Sequence, residues 1–203
     1  MKILVVYYSM YGNTFELAQK VVDGAKSVEG AQVDLKQVPD LLPKEVIEGD
    51  SNIQKAKDKQ KEIPVISPFE LADYDAIIWG TPTRFGNMCS QMKNFIDQTG
   101  SLWLKGKLEN KITGVFTSTA SLHGGQETTI LTFLTPLIHL GMIIVGVPYS
   151  VPELLTTKTG GTPYGPTHVA GANSNLPLTN DEAKIGYAFG KRIAEITKKF
   201  TQN

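Results

Sequence analysis

The sequence contains very little cysteine, which limits the chemistry that can hold the fold together. Cys89 is the single cysteine among 203 residues, so no disulfide can form within the chain. Chains without disulfides suit a reducing compartment, and we therefore expect a cytoplasmic protein. Cys89 is expected to be a small buried residue near the start of a helix, and a reactive thiol is the less favoured alternative.

The sequence also has no excess of either charge. It carries 20 Lys and Arg residues against 20 Asp and Glu residues. The absence of excess positive charge argues against a nucleic-acid partner bound through net charge. The absence of excess negative charge argues against a strongly acidic carrier protein. No apolar run is long enough to span a bilayer. We therefore expect no nucleic-acid partner and no membrane span.

What the sequence does contain is an alternation of buried-strand and amphipathic-helix patterns. The continuous apolar run Ile3–Val6 is typical of a strand buried on both faces, and helical spacing follows it from Leu17 to Val28. Further strands are predicted at 32–38, 74–80, 111–116 and 142–147. Strands that alternate with helices predict an α/β fold, a doubly wound five-stranded parallel sheet with helices on both faces.

The loop between the first strand and the first helix has the composition of an anion site. It consists of Ser9, Met10, Tyr11, Gly12, Asn13 and Thr14. Free N–H groups and the helix dipole favour an anion there, and the hydroxyl and amide side chains add neutral donors. The loop lacks the Gly-x-x-x-x-Gly-Lys pattern of triphosphate sites and the Gly-x-Gly-x-x-Gly pattern of dinucleotide sites. A terminal phosphomonoester such as that of FMN fits best, and a helix cap without a ligand is the alternative.

Two later strands end in similar polar loops. The second loop contains Pro82, Thr83, Arg84, Phe85, Gly86 and Asn87, and the third contains Ser118, Thr119, Ala120, Ser121, Leu122, His123 and Gly124. In parallel sheets, ligands bind beyond the carboxyl ends of the strands, where strand order reverses. We therefore expect the three loops to converge on one crevice, which favours a ligand over a simple helix cap.

The chain is predicted to form a single domain over 1–203, interrupted by two inserted segments. The segment at about 39–68 is polar, and its charge run at 55–62 predicts a solvated helix face or a mobile loop. The segment at about 149–178 is unusually long for a loop, so it is expected to be functional or stabilised by a partner, and a mobile surface excursion is the alternative. The run Thr179–Glu182 then fits the capping box of a closing helix.

Taken together, these motifs resemble the WrbA family, the flavodoxin-like quinone reductases named for binding the tryptophan repressor. The resemblance covers essentially the whole chain and rests on five motifs in the right order, at 7–14, 80–88, 102–103, 123–127 and 160–165. It implies a flavodoxin-like fold, bound FMN and NADH or NADPH as the electron donor. It also implies two-electron reduction of quinones with ping-pong kinetics, and a homotetramer.

The resemblance also assigns roles to residues. It implies that Ser9 through Thr14 hold the ribityl phosphate, and that Thr83 through Asn87 and Ser118 through His123 line the isoalloxazine ring. Trp103 and Tyr11 correspond to the aromatic residues beside the quinone and the nicotinamide, and His139 is the third substrate-binding candidate. No catalytic side chain and no metal ligand is implied, because the flavin carries the chemistry.

One departure from the family pattern concerns the histidines. The family often carries His-His-Gly after the third loop, whereas this chain reads His139-Leu140-Gly141. The second histidine, which reaches the flavin in relatives, is therefore replaced, and His139 alone would suit the C-terminal end of a helix dipole. We hypothesise that His123 takes over the polar role near the flavin.

Two other functions are compatible with a flavin-binding fold. One is a flavodoxin-type electron carrier, which the balanced charge and the two inserted segments disfavour. The other is a flavoprotein binding module for a transcription regulator, for which the sequence offers no basic stripe or docking helix. The quinone reductase is the function that the sequence favours.

Overall fold

The sheet of the protein is fully parallel and has six strands. The structure is a computed structural model, and it describes residues 1–201. The strands are β1 (Lys2–Tyr7), β2 (Gln32–Gln37), β3 (Ala76–Pro82), β4 (Ile112–Thr119), β5 (Ile143–Ile144) and β6 (Thr167–Val169). Their order is β2-β1-β3-β4-β5, with β6 also paired to β4. The predicted α/β class is confirmed, and the sheet has one strand more than the five predicted.

Helices cover both faces of this sheet. They are α1 (Asn13–Lys26), α2 (Lys44–Gly49), α3 (Ser51–Gln60), α4 (Ser90–Asp97), α5 (Gly100–Leu104), α6 (Gln126–His139), α7 (Glu153–Thr156) and α8 (Asn180–Thr201), with a 3₁₀ helix at Pro68–Asp73. No helix within residues 1–201 is long and apolar enough to cross a membrane.

Each central strand contributes to two separate apolar cores. In β1, Val5 points into the core shared with α1 and α8, whereas Val6 points into the core that contains Trp79 and Phe133. Because successive side chains of a strand point to opposite faces, a strand covered on both faces must be apolar throughout. This requirement explains the unbroken apolar run that predicted β1.

Strand register brings the ends of the three central strands to one level. Tyr7 of β1 lies beside Gly80 of β3, and Gly80 lies beside Phe116 of β4. The chain leaves the sheet at this edge after each of the three strands. The three polar loops therefore start next to one another, as the sequence predicted.

The segment at 149–178 contributes a strand to the sheet. Its strand β6 pairs with β4 through Thr117–Thr167, Ser118–His168 and Thr119–Val169. The prediction of a strand over 142–147 was too long, because β5 pairs with β4 only at Ile143 and Ile144. β6 occupies the position beside the carboxyl end of β4, so the chain after Ile144 cannot continue along that strand.

A buried carboxylate ties the same segment to α8. Glu182 has no exposed side-chain surface. Its Oε1 accepts hydrogen bonds from Gly160 N–H at 2.8 Å and Val169 N–H at 3.0 Å. Its Oε2 accepts from Thr179 N–H at 2.8 Å and lies 3.0 Å from Nδ1 of His168. Thr179 Oγ1 in turn accepts from Glu182 N–H at 3.3 Å, so the predicted capping box is confirmed.

The segment at 39–68 forms α2 and α3, and its charge run lies mostly on α3. Ile53, Ala56 and Gln60 of this helix are buried. Lys57 is also largely covered, with 18% of its side chain exposed. The prediction of a solvated helix face is therefore right for the outer residues of α3 and wrong for Lys57.

Candidate active-site cleft

The three loops meet around a cleft of about 130 Å³, roughly the volume of four water molecules. Its walls come from all three predicted loops and from the 149–178 segment. The lining residues are Ser9, Met10, Tyr11, Asn13, Thr14, Pro82, Thr83, Arg84, Ser118, Thr119, Ala120, Ala170 and Ser174. The predicted convergence of the three loops is confirmed.

The first loop presents a series of unpaired backbone N–H groups. Within the described part of the chain, none of the N–H groups from Ser9 to Phe15 donates to another protein atom, and the first helical bond runs from Glu16 N–H to Gly12 O at 3.0 Å. Gly12 is the N-cap of α1 with φ +92, a left-handed conformation that favours glycine, and no side chain caps the helix. These N–H groups and the helix dipole form a binding site for an anion.

Two hydroxyl groups of the cleft also have no hydrogen-bond partner in residues 1–201. Ser9 and Thr14 are 2% and 1% exposed, yet neither hydroxyl forms a hydrogen bond with another group in residues 1–201, although each residue lines the cleft. Neither hydroxyl oxygen is among the fully buried polar atoms without a partner, so both remain accessible. They therefore add donors to the site that the protein itself does not use.

The charge around the cleft also favours an anion. Arg84 is the one charged residue that lines it among residues 1–201, and no carboxylate does so. The guanidinium reaches from the second loop to the first, donating to Thr83 O at 2.8 Å and lying 3.6 Å from Sδ of Met10. It forms no ion pair within the described residues, so its charge is available to a ligand.

The second loop is a tight turn held in a strained conformation. Arg84 N–H donates to Asn87 O at 2.8 Å, and Asn87 N–H donates to Arg84 O at 3.0 Å. Phe85 and Gly86 between them have φ values of +54 and +76. A bulky residue in this region costs about 1 kcal/mol. The Phe85 side chain is fully exposed.

Thr83 fastens this turn to α6. Its Oγ1 accepts from Gly86 N–H at 3.3 Å and from Thr129 Oγ1 at 2.7 Å. Because Thr129 is completely buried in α6, the turn is anchored to a rigid element. Pro82, Thr83 and Arg84 reach the cleft, whereas Phe85, Gly86 and Asn87 do not line it.

The third loop only partly reaches the cleft. Ser118, Thr119 and Ala120 line it, but the chain then turns away. Thr119 Oγ1 donates to Ser121 O at 2.8 Å, and Gly124 N–H donates to the same carbonyl at 3.1 Å. This compact turn places Ser121, Leu122 and His123 at the surface, with Gly124 also outside the cleft lining. The hypothesis that His123 lines the site therefore has no support from the geometry of this chain.

Trp103 and His139 lie together, but in a different groove. That groove has a volume of about 580 Å³ and is lined by both residues together with Asn87, Met88 and Lys93, among others. Trp103 is 57% exposed, and His139 is exposed at the end of α6. Neither residue lines the cleft of its own chain. Tyr11, in contrast, lines both the cleft and a groove of about 570 Å³ that also contains Phe15.

Two residues that line the cleft, and one pair of residues behind its first loop, could not be predicted from the sequence. Ala170 and Ser174 enter the cleft from the 149–178 segment, where Ser174 O accepts a hydrogen bond from Asn13 Nδ2 at 3.1 Å. Lys57 and Asp40 lie behind the first loop. Contacts between residues so far apart in the chain leave no local pattern, so only the structure identifies them.

The comparisons with known proteins agree with this geometry. The family model described as NADPH-dependent FMN reductase matches residues 1–153. The chain belongs to this family. Over 200 residues it is also 50% identical to a protein of Chromohalobacter salexigens named NAD(P)H dehydrogenase (quinone), with 98% of each chain covered.

Solved structures of similar fold come from flavodoxin-like proteins. One is the flavodoxin, WrbA-like protein from Agrobacterium tumefaciens, with a TM-score of 0.64 and 24% identity over 98% of each chain. Another is Flavodoxin 2 from Bacillus cereus, with a TM-score of 0.64 and 19% identity over 97% of this chain and 99% of that one. At these identities the likeness shows the flavodoxin-like fold of this FMN reductase family member.

The residues of the cleft fit the phosphate end of FMN. A phosphomonoester needs several hydrogen-bond donors and a site without carboxylates. The first loop supplies the free N–H groups of its cleft-lining residues, and the cleft adds two hydroxyls without a partner in residues 1–201 and Arg84. Its donor set therefore matches the cofactor that the family name states.

Proposed function

We propose that the protein is an FMN-dependent NAD(P)H:quinone oxidoreductase that reduces quinones to hydroquinones by two electrons in a ping-pong cycle. The observation that carries this proposal is the cleft at the N-terminus of α1, whose unpaired donors match a phosphomonoester. Membership of the FMN reductase family and the 50% identical relative named as a quinone dehydrogenase support the same function.

The loops of the cleft would hold the cofactor in this function. The N–H groups and hydroxyls of the Ser9–Thr14 loop would bind the phosphate, and Arg84 would add a cation beside it. Pro82 and Thr83 of the second loop and the start of the third loop at 118–120, which line the cleft, would hold the ring system. Bound FMN would supply the redox chemistry, namely hydride acceptance from NAD(P)H and two-electron reduction of a quinone. The chain itself positions the cofactor.

The five sequence motifs support a place for this chain in the WrbA branch of the family, with a homotetramer as its assembly. Trp103 and His139 share a groove outside the cleft, and the neighbouring Leu104 and Ile138 are 79% and 62% exposed. Exposed apolar groups of this kind favour contact between protein copies. In a tetramer, Trp103 and His139 of one copy would serve the site of another. We place this reductase in the cytoplasm, which suits its lone buried cysteine.

An absorption experiment tests the proposed activity directly. The purified protein is titrated with FMN, then mixed without oxygen with NADH or NADPH, and finally with a benzoquinone. We expect the flavin absorbance to bleach with the nicotinamide alone, because ping-pong kinetics require that half-reaction to proceed without quinone. Full return of the absorbance on adding the quinone completes the cycle.

Each other outcome of that experiment has a distinct meaning. Bound flavin that neither nicotinamide bleaches would contradict the reductase and favour a flavodoxin-type electron carrier. Failure to bind FMN at all would contradict the assignment of the Ser9–Thr14 loop.

The proposed substrate role of Trp103 is tested by Trp103→Ala. We expect KM for the quinone to rise about tenfold, because a flat aromatic surface against the substrate is lost, while the affinity for FMN stays unchanged. The matched control is Leu104→Ala, which removes an exposed apolar side chain next to it. Light scattering on both variants, expected at four times the 22.2 kDa chain mass, checks that the assembly is intact. An unchanged KM in an intact assembly would remove Trp103 from the substrate site.

A further inference from the structure

Lys57 is a charged side chain packed behind the first loop of the cleft. Its Nζ donates to Ser9 O at 3.1 Å, lies 2.6 Å from Oδ2 of Asp40 and lies 4.5 Å from the centroid of the Tyr8 ring. Only 18% of the side chain is exposed. Lysine is rarely covered to this extent, because covering it costs hydration and rotamer entropy. The contacts of Lys57 therefore need an explanation beyond the solubility of α3.

The carbonyl that Lys57 holds belongs to the loop itself. Gln60 of the same helix donates to Ser9 O as well, with its Nε2 at 3.4 Å. Because the peptide unit is planar and trans, the Ser9 carbonyl and the Met10 N–H point in opposite directions. Holding the carbonyl against α3 therefore turns the Met10 N–H away from α3. Met10 lines the cleft, whereas no residue of α3 does so.

The charge of Lys57 is already compensated on its own side of the loop. Burial would raise the pKa of Asp40, but hydrogen bonds from Lys57, from Leu42 N–H at 3.0 Å and from Tyr8 at 3.1 Å outweigh it and lower that pKa. Burial and the nearby Asp40 carboxylate raise the pKa of Tyr8, so its hydroxyl remains a donor. The ammonium therefore faces an ionised partner. It acts on the cleft through the direction of the Ser9 carbonyl more than through its net charge.

We propose that Lys57 is a positioning residue for the phosphate-binding loop, and that its hold on the Ser9 carbonyl makes the site select FMN over riboflavin. α3 thereby acts as a support that keeps the N–H groups of the loop directed at the phosphate. Riboflavin has the same ring and lacks the phosphate, so it does not depend on this support. The inference rests on the proposed function, since it assumes that the cleft binds FMN.

The test is Lys57→Met, which keeps the length of the apolar stem and removes the donor. The full chain freed of flavin is titrated with FMN and, separately, with riboflavin, and binding is followed by flavin fluorescence. We expect Kd for FMN to rise about tenfold, the typical effect of losing a hydrogen bond from a charged group. Kd for riboflavin is expected to stay the same. Inorganic phosphate, used as a competitor of FMN, is expected to bind more weakly to the variant as well.

Lys61→Met is the matched control. It makes the same change in charge one helical turn further on, at an exposed side chain, and we expect it to leave both affinities unchanged. Lys57→Arg keeps a cationic donor and is expected to restore part of the FMN affinity. If circular dichroism shows that Lys57→Met is unfolded, Gln60→Met removes the second donor to Ser9 O, with a smaller loss of the same selectivity expected.

Three results would overturn the inference. These are an unchanged Kd for FMN, an equal loss for FMN and riboflavin, or an equal loss in Lys61→Met. Failure of the unmodified chain to bind FMN would instead contradict the proposed function. The two failures are therefore distinguishable within one set of titrations.

Discussion

Replacing Glu182 with glutamine is expected to lower the free energy of unfolding by about 3 kcal/mol at neutral pH. The carboxylate accepts three backbone N–H groups and pairs with His168, all without exposure to solvent. Burial alone would raise the pKa of Glu182, but the hydrogen bonds from His168, Thr179 N–H and Val169 N–H lower it to about 2. A glutamine amide would direct an N–H₂ group at one of these donors, which leaves buried donors unpaired.

The effect of Glu182→Gln should depend on pH in a defined direction. The folded-state pKa of Glu182, about 2, lies below the ordinary value of 4.5. The stabilisation is therefore fully present above about pH 4.5 and is lost as the pH falls toward 2. Urea unfolding of the variant and the unmodified protein at a series of pH values measures this difference. We expect the difference in the free energy of unfolding between the two proteins to be constant from pH 7 to 5 and to become smaller below pH 4.5.

Asp181→Asn provides the control for Glu182→Gln. Asp181 lies in the same first turn of α8 and is partly exposed. Its replacement removes the same charge near the helix N-terminus, so it should cost less than about 1 kcal/mol. Equal losses in the two variants would mean that the helix dipole, and not the buried hydrogen-bond network, accounts for the effect of Glu182.

A second large loss of stability is expected from Gly190→Ala. The side of α8 that carries Gly190 packs directly on the backbone of α1. A Cβ at position 190 would lie 1.9 Å from Val21 O and 3.0 Å from Ala25 N. Because backbone atoms cannot rotate aside, the two helices must move apart, and the core between them loses contacts. We expect a loss of about 3 kcal/mol, the upper end of the usual cost of overpacking, against a gain in helix propensity of about 1 kcal/mol.

Gly49→Ala is the matched control for Gly190→Ala. Gly49 is the last residue of α2, and a Cβ there would meet nothing within 4 Å. The same substitution should therefore be neutral or slightly stabilising. Thermal unfolding of both variants measures the difference. A similar melting temperature for Gly190→Ala and the unmodified protein would show that α1 and α8 can separate without loss.

The sequence by itself determined the layers of the fold and the edge of the sheet at which the cleft lies. Unbroken apolar runs identify strands covered on both faces, and helical spacing between them implies parallel pairing. Parallel strands end at one edge, so the loops after Tyr7, Pro82 and Thr119 had to meet. The capping box at Thr179 and Glu182 is equally local, and it too was predicted. In each case the information lies within a few neighbouring residues.

Only the tertiary structure decided which side chains line the cleft and what supports them. Asn13 and Ser174 are 161 residues apart, and the short strand β6 has no apolar run that would mark it. Lys57 resembles its exposed neighbours in sequence, and only packing against Ser9 and Asp40 distinguishes it. His123 matched a family motif but lies at the surface, because the turn after Thr119 directs it outward. Local sequence patterns specify the helical or strand periodicity and the helix caps, whereas pairing between distant parts of the chain decides which of these residues come into contact.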